Sequence, residues 1–173
     1  MALREIRLYP DPVLRSKCAE VTRFDDELRR LARDMIETMH AAPGVGLAAP
    51  QVGVEKRLAV VDTSVGKEAS VLHVLVNPRI VEEEGNVFDF EGCLSIPGIS
   101  EKVNRPSRVK VVAQDLEGRE LEVEAGEFEA RAICHELDHL DGVLFIDRVR
   151  GLRRDRVRRQ LKRMTREHAA ASA

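Results

Sequence analysis

The chain reads as an α+β protein. It predicts one domain of antiparallel or mixed strands around a central helix that carries His135-Glu136-Leu137-Asp138-His139, with a helix near the start and a basic helix at the end. Three observations predict this class. Apolar residues recur at helical spacing near the start and near the end, an apolar run surrounds the histidine segment, and runs of strands lie with helix between and after them.

The elements follow in order. Asp25-Asp26 can start a helix whose apolar positions are Leu28, Leu31, Met35 and Met39. Pro43 and Pro50 fence a segment that reads as a loop. Leu58-Ala59-Val60-Val61 and Val71-Leu72-His73-Val74-Leu75-Val76 read as strands. Val109 to Ala113 and Glu120 to Glu124 form a hairpin pattern across Leu116-Glu117-Gly118-Arg119. Ala130, Ala132, Ile133, Cys134, Leu137 and Leu140 then surround the histidine-bearing segment with apolar side chains. Leu152, Val157, Leu161 and Met164 give the last helix one face that can dock.

Composition excludes several classes. The 173 residues are 43% hydrophobic and 34% charged, with no apolar run long enough to span a bilayer, so no membrane partner is expected. Cys18, Cys93 and Cys134 cannot pair fully and lack the spacing of a disulfide scaffold. The opening residues lack the apolar core of a secretory signal. Together these predict a cytoplasmic protein with no disulfide partner.

The chemistry begins with the histidines. Residues i and i+4 of a helix differ by about 40° of rotation, so His135 and His139 project from one face and can bind a single metal ion. Glu136 lies beside that face, where it can handle the proton of an activated water. Burying these groups without a shared partner would be costly, which favours a metal over a chance pattern on a charged helix.

The third ligand separates the possible enzymes. A metzincin-type peptidase would place histidine where this chain has Phe145. A thermolysin-like site would need a downstream glutamate, but Asp155-Arg156-Val157-Arg158-Arg159 is cationic. Upstream, Cys93 is the candidate, in Phe90-Glu91-Gly92-Cys93-Leu94-Ser95-Ile96-Pro97-Gly98. A thiolate with two imidazoles suits Zn²⁺ or Fe²⁺ and leaves one coordination position open. The bland alternative for Cys93 is a small buried hydrophobe.

Three co-linear motifs carry a resemblance to the peptide deformylases: Gly44-Val45-Gly46-Leu47-Ala48-Ala49-Pro50-Gln51, then Glu91-Gly92-Cys93-Leu94-Ser95, then His135-Glu136-Leu137-Asp138-His139. Tyr9-Pro10-Asp11-Pro12-Val13-Leu14-Arg15 also resembles the opening of that family. The resemblance implies removal of the N-terminal formyl group from formyl-methionyl nascent peptides, with release of formate. It implies one divalent metal ion on Cys93, His135 and His139, Fe²⁺ in the cell, with Zn²⁺, Ni²⁺ or Co²⁺ able to replace it. It makes Glu136 the proton carrier and Gln51 with the Leu94 N–H the oxyanion donors. It places the Gly46 main chain against the substrate. Val45, Leu94, Ala132 and the stem of Arg131 are the candidates for a methionine pocket. Glu91 and Arg105 are expected as an ion pair bracing the Cys93 loop. Cys134 stands where many deformylases have a polar amide, and should face the core.

Charge divides the chain. Ten basic residues and one acid lie between Arg148 and Arg166; removing them from the totals of 28 and 30 leaves 18 basic against 29 acidic. Residues 1–147 are therefore read as the catalytic domain and 148–173 as a basic helical tail of that same domain. Two uses are open for this tail: a solvated face paired with the acidic body, or, as the resemblance implies, contact with the ribosome near the exit of the nascent chain. The rival readings are a metallopeptidase or amidase on the same histidine helix, and an RNA-associated factor with a vestigial metal site.

Overall fold

A computed structural model describes residues 2–172 and bears out the α+β class. The first helix, α1, spans Asp26–Ala41. Asp25 caps it, its side chain accepting from the Leu28 N–H at 3.1 Å, and Asp26 and Glu27 favour the positive end of the helix dipole. Leu28, Leu31, Met35 and Met39 are all buried, as their spacing predicts.

Seven strands follow: β1 (Gly46–Ala48), β2 (Leu58–Val61), β3 (His73–Glu84), β4 (Val87–Cys93), β5 (Ile96–Arg105), β6 (Arg108–Gln114) and β7 (Glu120–Gly126). They form a five-stranded antiparallel sheet in the order β1-β2-β3-β6-β7 and a separate β4-β5 hairpin. Helix α2 (Glu127–Leu140) follows β7, and α3 (Leu152–Ser172) ends the chain.

The large sheet has two covered faces. Leu58, Val60 and Val76 join the α1 residues in one apolar cluster. Val61, Leu75, Val109 and Val111 join Ala130, Ile133, Cys134 and Leu137 of α2 in another. Neighbouring residues of β2 thus point to opposite helices, which explains why Leu58–Val61 is apolar throughout rather than alternating. A third cluster packs Val157 and Leu161 of α3 with Ile96, Ile99 and Val103 of β5 and with Phe145.

Some sequence expectations need correction. The proline-fenced segment is not wholly a loop, because Gly46–Ala48 pairs with β2 through Leu47↔Val60. The run from Val71 enters the sheet only at His73, since Ala69–Val71 forms a 3-10 turn, and the strand then extends to Glu84. The β6–β7 hairpin pairs Val111 with Val123, as expected. The β4–β5 hairpin had no counterpart among the expected strands. It is also the element that carries Cys93.

Candidate metal centre and substrate cavity

Helix α2 buries charge as well as apolar surface. Arg131, His135, Glu136 and His139 are all buried, on a helix that also fills the core through Ala130, Ile133 and Leu140. His135 Nε2 and His139 Nε2 lie 3.2 Å apart, and Cys93 Sγ from the hairpin is 3.4 Å from His139 Nε2. All three donor atoms fall within 4.8 Å of one another. Two nitrogens and a sulfur on one tetrahedral ion, at about 2.0–2.1 Å and 2.3 Å from it, would be separated by about 3.3–3.5 Å. The donor set and its spacing fit a single ion.

Electrostatics point the same way. His135 sits about 2.7 Å through Nδ1 from Glu91 Oε2, which leaves Nε2 free for a ligand role. Burial opposes charge on His135, but the neighbouring Cys93 thiol and Glu91 carboxylate overcome it and raise its pKa. The anionic Glu91 behind His135 would complement a cation held on Nε2. Burial, reinforced by His135, lowers the pKa of His139 and keeps it a neutral donor.

Glu91 is the hub beneath this cluster. Arg105 Nε and Nη2 donate to its two oxygens at 3.0 and 2.7 Å, and Arg131 Nη1 reaches it at 3.2 Å. Burial alone would raise its pKa, but Arg105 and His135 pull it down to about 2. Arg105 also donates to Asp138 at 2.7 Å, and Arg148 binds that same carboxylate. The expected Glu91–Arg105 pair is thus present and buried. Its link to His135 was not foreseen.

Glu136 has the opposite environment. Burial pushes its pKa up to about 7, and its Oε2 has no hydrogen-bond partner among the described residues. Gly46 comes so close that a Cβ there would overlap the Glu136 carboxylate. Glycine at 46 is therefore what lets the strand approach the acid.

Gln51 is held in one orientation. Its Oε1 accepts from the Ala48 N–H at 2.9 Å, while its Nε2 donates to Ser95 Oγ at 3.1 Å and lies 3.6 Å from Cys93 Sγ. The amide N–H side therefore faces the cysteine. Ser95, two residues after Cys93 in the same motif, is fully buried and is a partner that local spacing does not reveal.

These groups border a cavity of about 580 Å³ lined by Val45, Gly46, Gln51, Cys93, Leu94, Arg131, Ala132, His135 and Glu136. Every sequence-selected site residue except His139 thus lines one space, and His139 closes the metal triad behind it. The Arg131 guanidinium is turned to the carbonyls of Val87, Asp89 and Val103, so its charge is engaged by the hairpin. Phe90, Ile99 and Phe128 also line the cavity and were not anticipated. Phe145, where a metzincin would have histidine, is buried with its ring 6.1 Å from that of His135. Cys134 faces the core cluster of α2, as expected.

An α+β fold with a buried His-Glu-x-x-His helix, a cysteine across from it and an adjoining cavity defines a metal-dependent hydrolase class. The polypeptide deformylase family model matches residues 3–155, and the chain belongs to that family. It is 49% identical to a peptide deformylase of Acidobacterium capsulatum, over 96% of this chain and 98% of that protein. It is 55% identical to one of Clostridium botulinum, over 86% and 97%. Among solved structures, the peptide deformylase of Legionella pneumophila superimposes with a TM-score of 0.88 at 41% identity, covering 96% and 98% of the two chains. That of Thermus thermophilus gives 0.86 at 45% identity, covering 95% and 99%. The chain is accordingly an enzyme that hydrolyses the formyl amide of N-terminal formyl-methionine, and its family is metal-dependent.

Proposed function

We propose that Cys93, His135 and His139 hold one divalent ion, Fe²⁺ in the cell, which Zn²⁺, Ni²⁺ or Co²⁺ can replace. The observation that carries this is the convergence of three donor atoms beside the unpartnered carboxylate of Glu136. A divalent cation held there supplies Lewis acidity, which lowers the pKa of water from about 15.7 toward about 7.

The protein's own groups do the rest. Glu136 takes the proton of the attacking water and delivers it to the leaving amine, a role suited to a carboxyl held near pH 7. Gln51 Nε2 and the Leu94 N–H donate to the carbonyl oxygen as negative charge develops on it. β1 is an edge strand and β4 has one partner, and residues of both line the cavity, so an extended peptide can add between them. The Gly46 main chain pairs with this peptide. Val45, Leu94, Ala132 and the Arg131 stem receive the methionine side chain.

The first test is formate release from a formyl-methionyl tripeptide by protein purified without oxygen, with metal measured on the same sample. Release that a chelator abolishes and Fe²⁺ restores is expected. Absence of release from stoichiometrically metallated protein would overturn the assignment.

We further infer that residues 1–147 form the catalytic domain, that 148–173 form its basic tail, and that the tail contacts the ribosome in the cytoplasm. Arg153 and Arg156 pair with Glu101, but among the described residues Arg158, Arg159, Lys162, Arg163 and Arg166 make no ion pair. Those cations can meet phosphates, with affinity that falls steeply with salt. Co-sedimentation with ribosomes should weaken on truncation after Gly151; unchanged binding would remove the inference. Among the described residues no helix is long and apolar enough to cross a membrane.

A further inference from the structure

Three of the five phenylalanines of this chain stand exposed in one region: Phe88 at 49%, Phe90 at 57% and Phe128 at 56%. An aromatic ring left half in water is costly unless something covers it, so three together mark a surface with a use. Phe90 and Phe128 line the substrate cavity, whereas Phe88 does not. Phe88 and Phe90 are two residues apart on β4, hence on one face of the hairpin, opposite the face that sends Glu91 inward. The Lys102 ammonium lies 5.7 Å from the Phe88 ring and 5.4 Å from the Phe90 ring, and the Arg153 guanidinium lies 5.2 Å from Phe88. An aromatic strip topped by cations thus leaves the cavity and runs along β4 toward α3.

We propose that this strip binds the downstream part of the formylated peptide, about its fourth to sixth residues, and favours an apolar side chain followed by a carboxylate. The proposal rests on the deformylase reading of the cavity and extends it. Continuity argues for peptide as the occupant, because Phe90 belongs to both the cavity and the strip. Reach agrees. Phe88 precedes Cys93 by five positions on one strand, or about 17 Å at 3.3–3.4 Å per residue, and a substrate extended along β4 advances at the same pitch. The chemistry agrees as well: apolar rings accept an aliphatic side chain, and Lys102 and Arg153 attract a carboxylate while repelling lysine or arginine.

The test compares formyl-Met-Ala-Ser with the hexapeptides formyl-Met-Ala-Ser-Ala-Leu-Glu and formyl-Met-Ala-Ser-Ala-Ser-Lys, on the metal-loaded full chain. The Leu-Glu hexapeptide should show kcat/KM about tenfold higher than the tripeptide, through KM with kcat unchanged, the scale of one apolar side chain leaving water. The Ser-Lys hexapeptide should match the tripeptide. Phe88→Ser should remove most of the advantage and Lys102→Glu should reverse the charge preference, both leaving tripeptide kinetics and melting temperature unaltered. Equal kcat/KM for all three peptides in the wild type would overturn the proposal. So would a full advantage retained by Phe88→Ser; if that variant instead lost ribosome binding, the strip would belong to RNA. Failure of the deformylase reading would look different, because the tripeptide itself would not turn over.

Discussion

Helices α1 and α2 pack on opposite faces of one sheet, yet they bury different chemistry. On α1 the interior positions are Leu28, Leu31, Met35 and Met39, with Asp34 and Thr38 as the buried polar exceptions. On α2 four charged or ionisable side chains, Arg131, His135, Glu136 and His139, share the interior with Ile133 and Leu140. The same amphipathic period builds both helices, but only one side of the sheet carries reactive groups. That side is stabilised through buried ion pairs whose loss is costly, whereas the α1 side relies mainly on apolar contact, with Asp34–Arg4 and Asp62–His40 as its polar pairs. Stability and chemistry are thus separable by face.

Variants can break this contrast, the largest effect first. Glu136→Ala should lower turnover about 10²–10⁴-fold while metal content and melting temperature hold; retained turnover would show that another group carries the proton. Arg105→Met should destabilise the protein by about 3 kcal/mol, because it removes the bidentate partner of the buried Glu91 and leaves that carboxylate only Arg131 and His135. Urea unfolding measures this, and metal retention should fall with it. Met35→Ala, on the other face, should cost about 2–5 kcal/mol through its cavity but leave kcat/KM of the folded enzyme unchanged. A change in kcat/KM there would mean that the two faces are coupled.

The smallest effect concerns acid. Asp62 is buried on the α1 side, where it accepts from the Ser64 and Gly66 N–H groups and from Ser64 Oγ and lies 2.7 Å from His40 Nε2. Burial works against its charge, but these partners hold its pKa down to about 2. A carboxylate depressed on folding stabilises the native state above its unfolded pKa, and that stability disappears as pH falls from about 4 through about 2. The loss is about 2 kcal/mol. Asp62→Asn should be less stable at neutral pH and lack this part of the acid dependence; an unaltered profile would place the acid sensitivity elsewhere.

The two faces were also unequally legible from sequence. α1 announced itself through the Asp25 cap and four apolar residues at helical spacing, and β6–β7 through its alternation across a turn. The β4–β5 hairpin did not, because its pattern is inverted. Its inward residues include Glu91, Glu101 and Arg105, while Phe88 and Phe90 face outward. Hydrophobic periodicity finds strands whose apolar side is buried throughout, and here Glu91, Glu101 and Arg105 interrupt the inward row that Ile96, Ile99 and Val103 begin. The metal triad and Glu136 were visible because their spacing is local or motif-borne. The Glu91–His135 and Gln51–Ser95 contacts span more than 40 residues and became visible only with the fold. The far end of β3 is not legible as strand because Glu82 to Glu84 are exposed and acidic.

Gly46 has a consequence for how this chain can vary. A Cβ there would meet the Glu136 Cγ and Cδ as well as the carboxylate, so Gly46→Ala must turn the whole buried Glu136 side chain or shift β1. Such a protein should melt below the wild type and hydrolyse formyl peptides poorly, which thermal unfolding and formate release on one sample would establish. Residue 46 is then constrained twice, by packing and by the acid it faces: a variant there would be exposed to proteolytic quality control as well as to selection on growth.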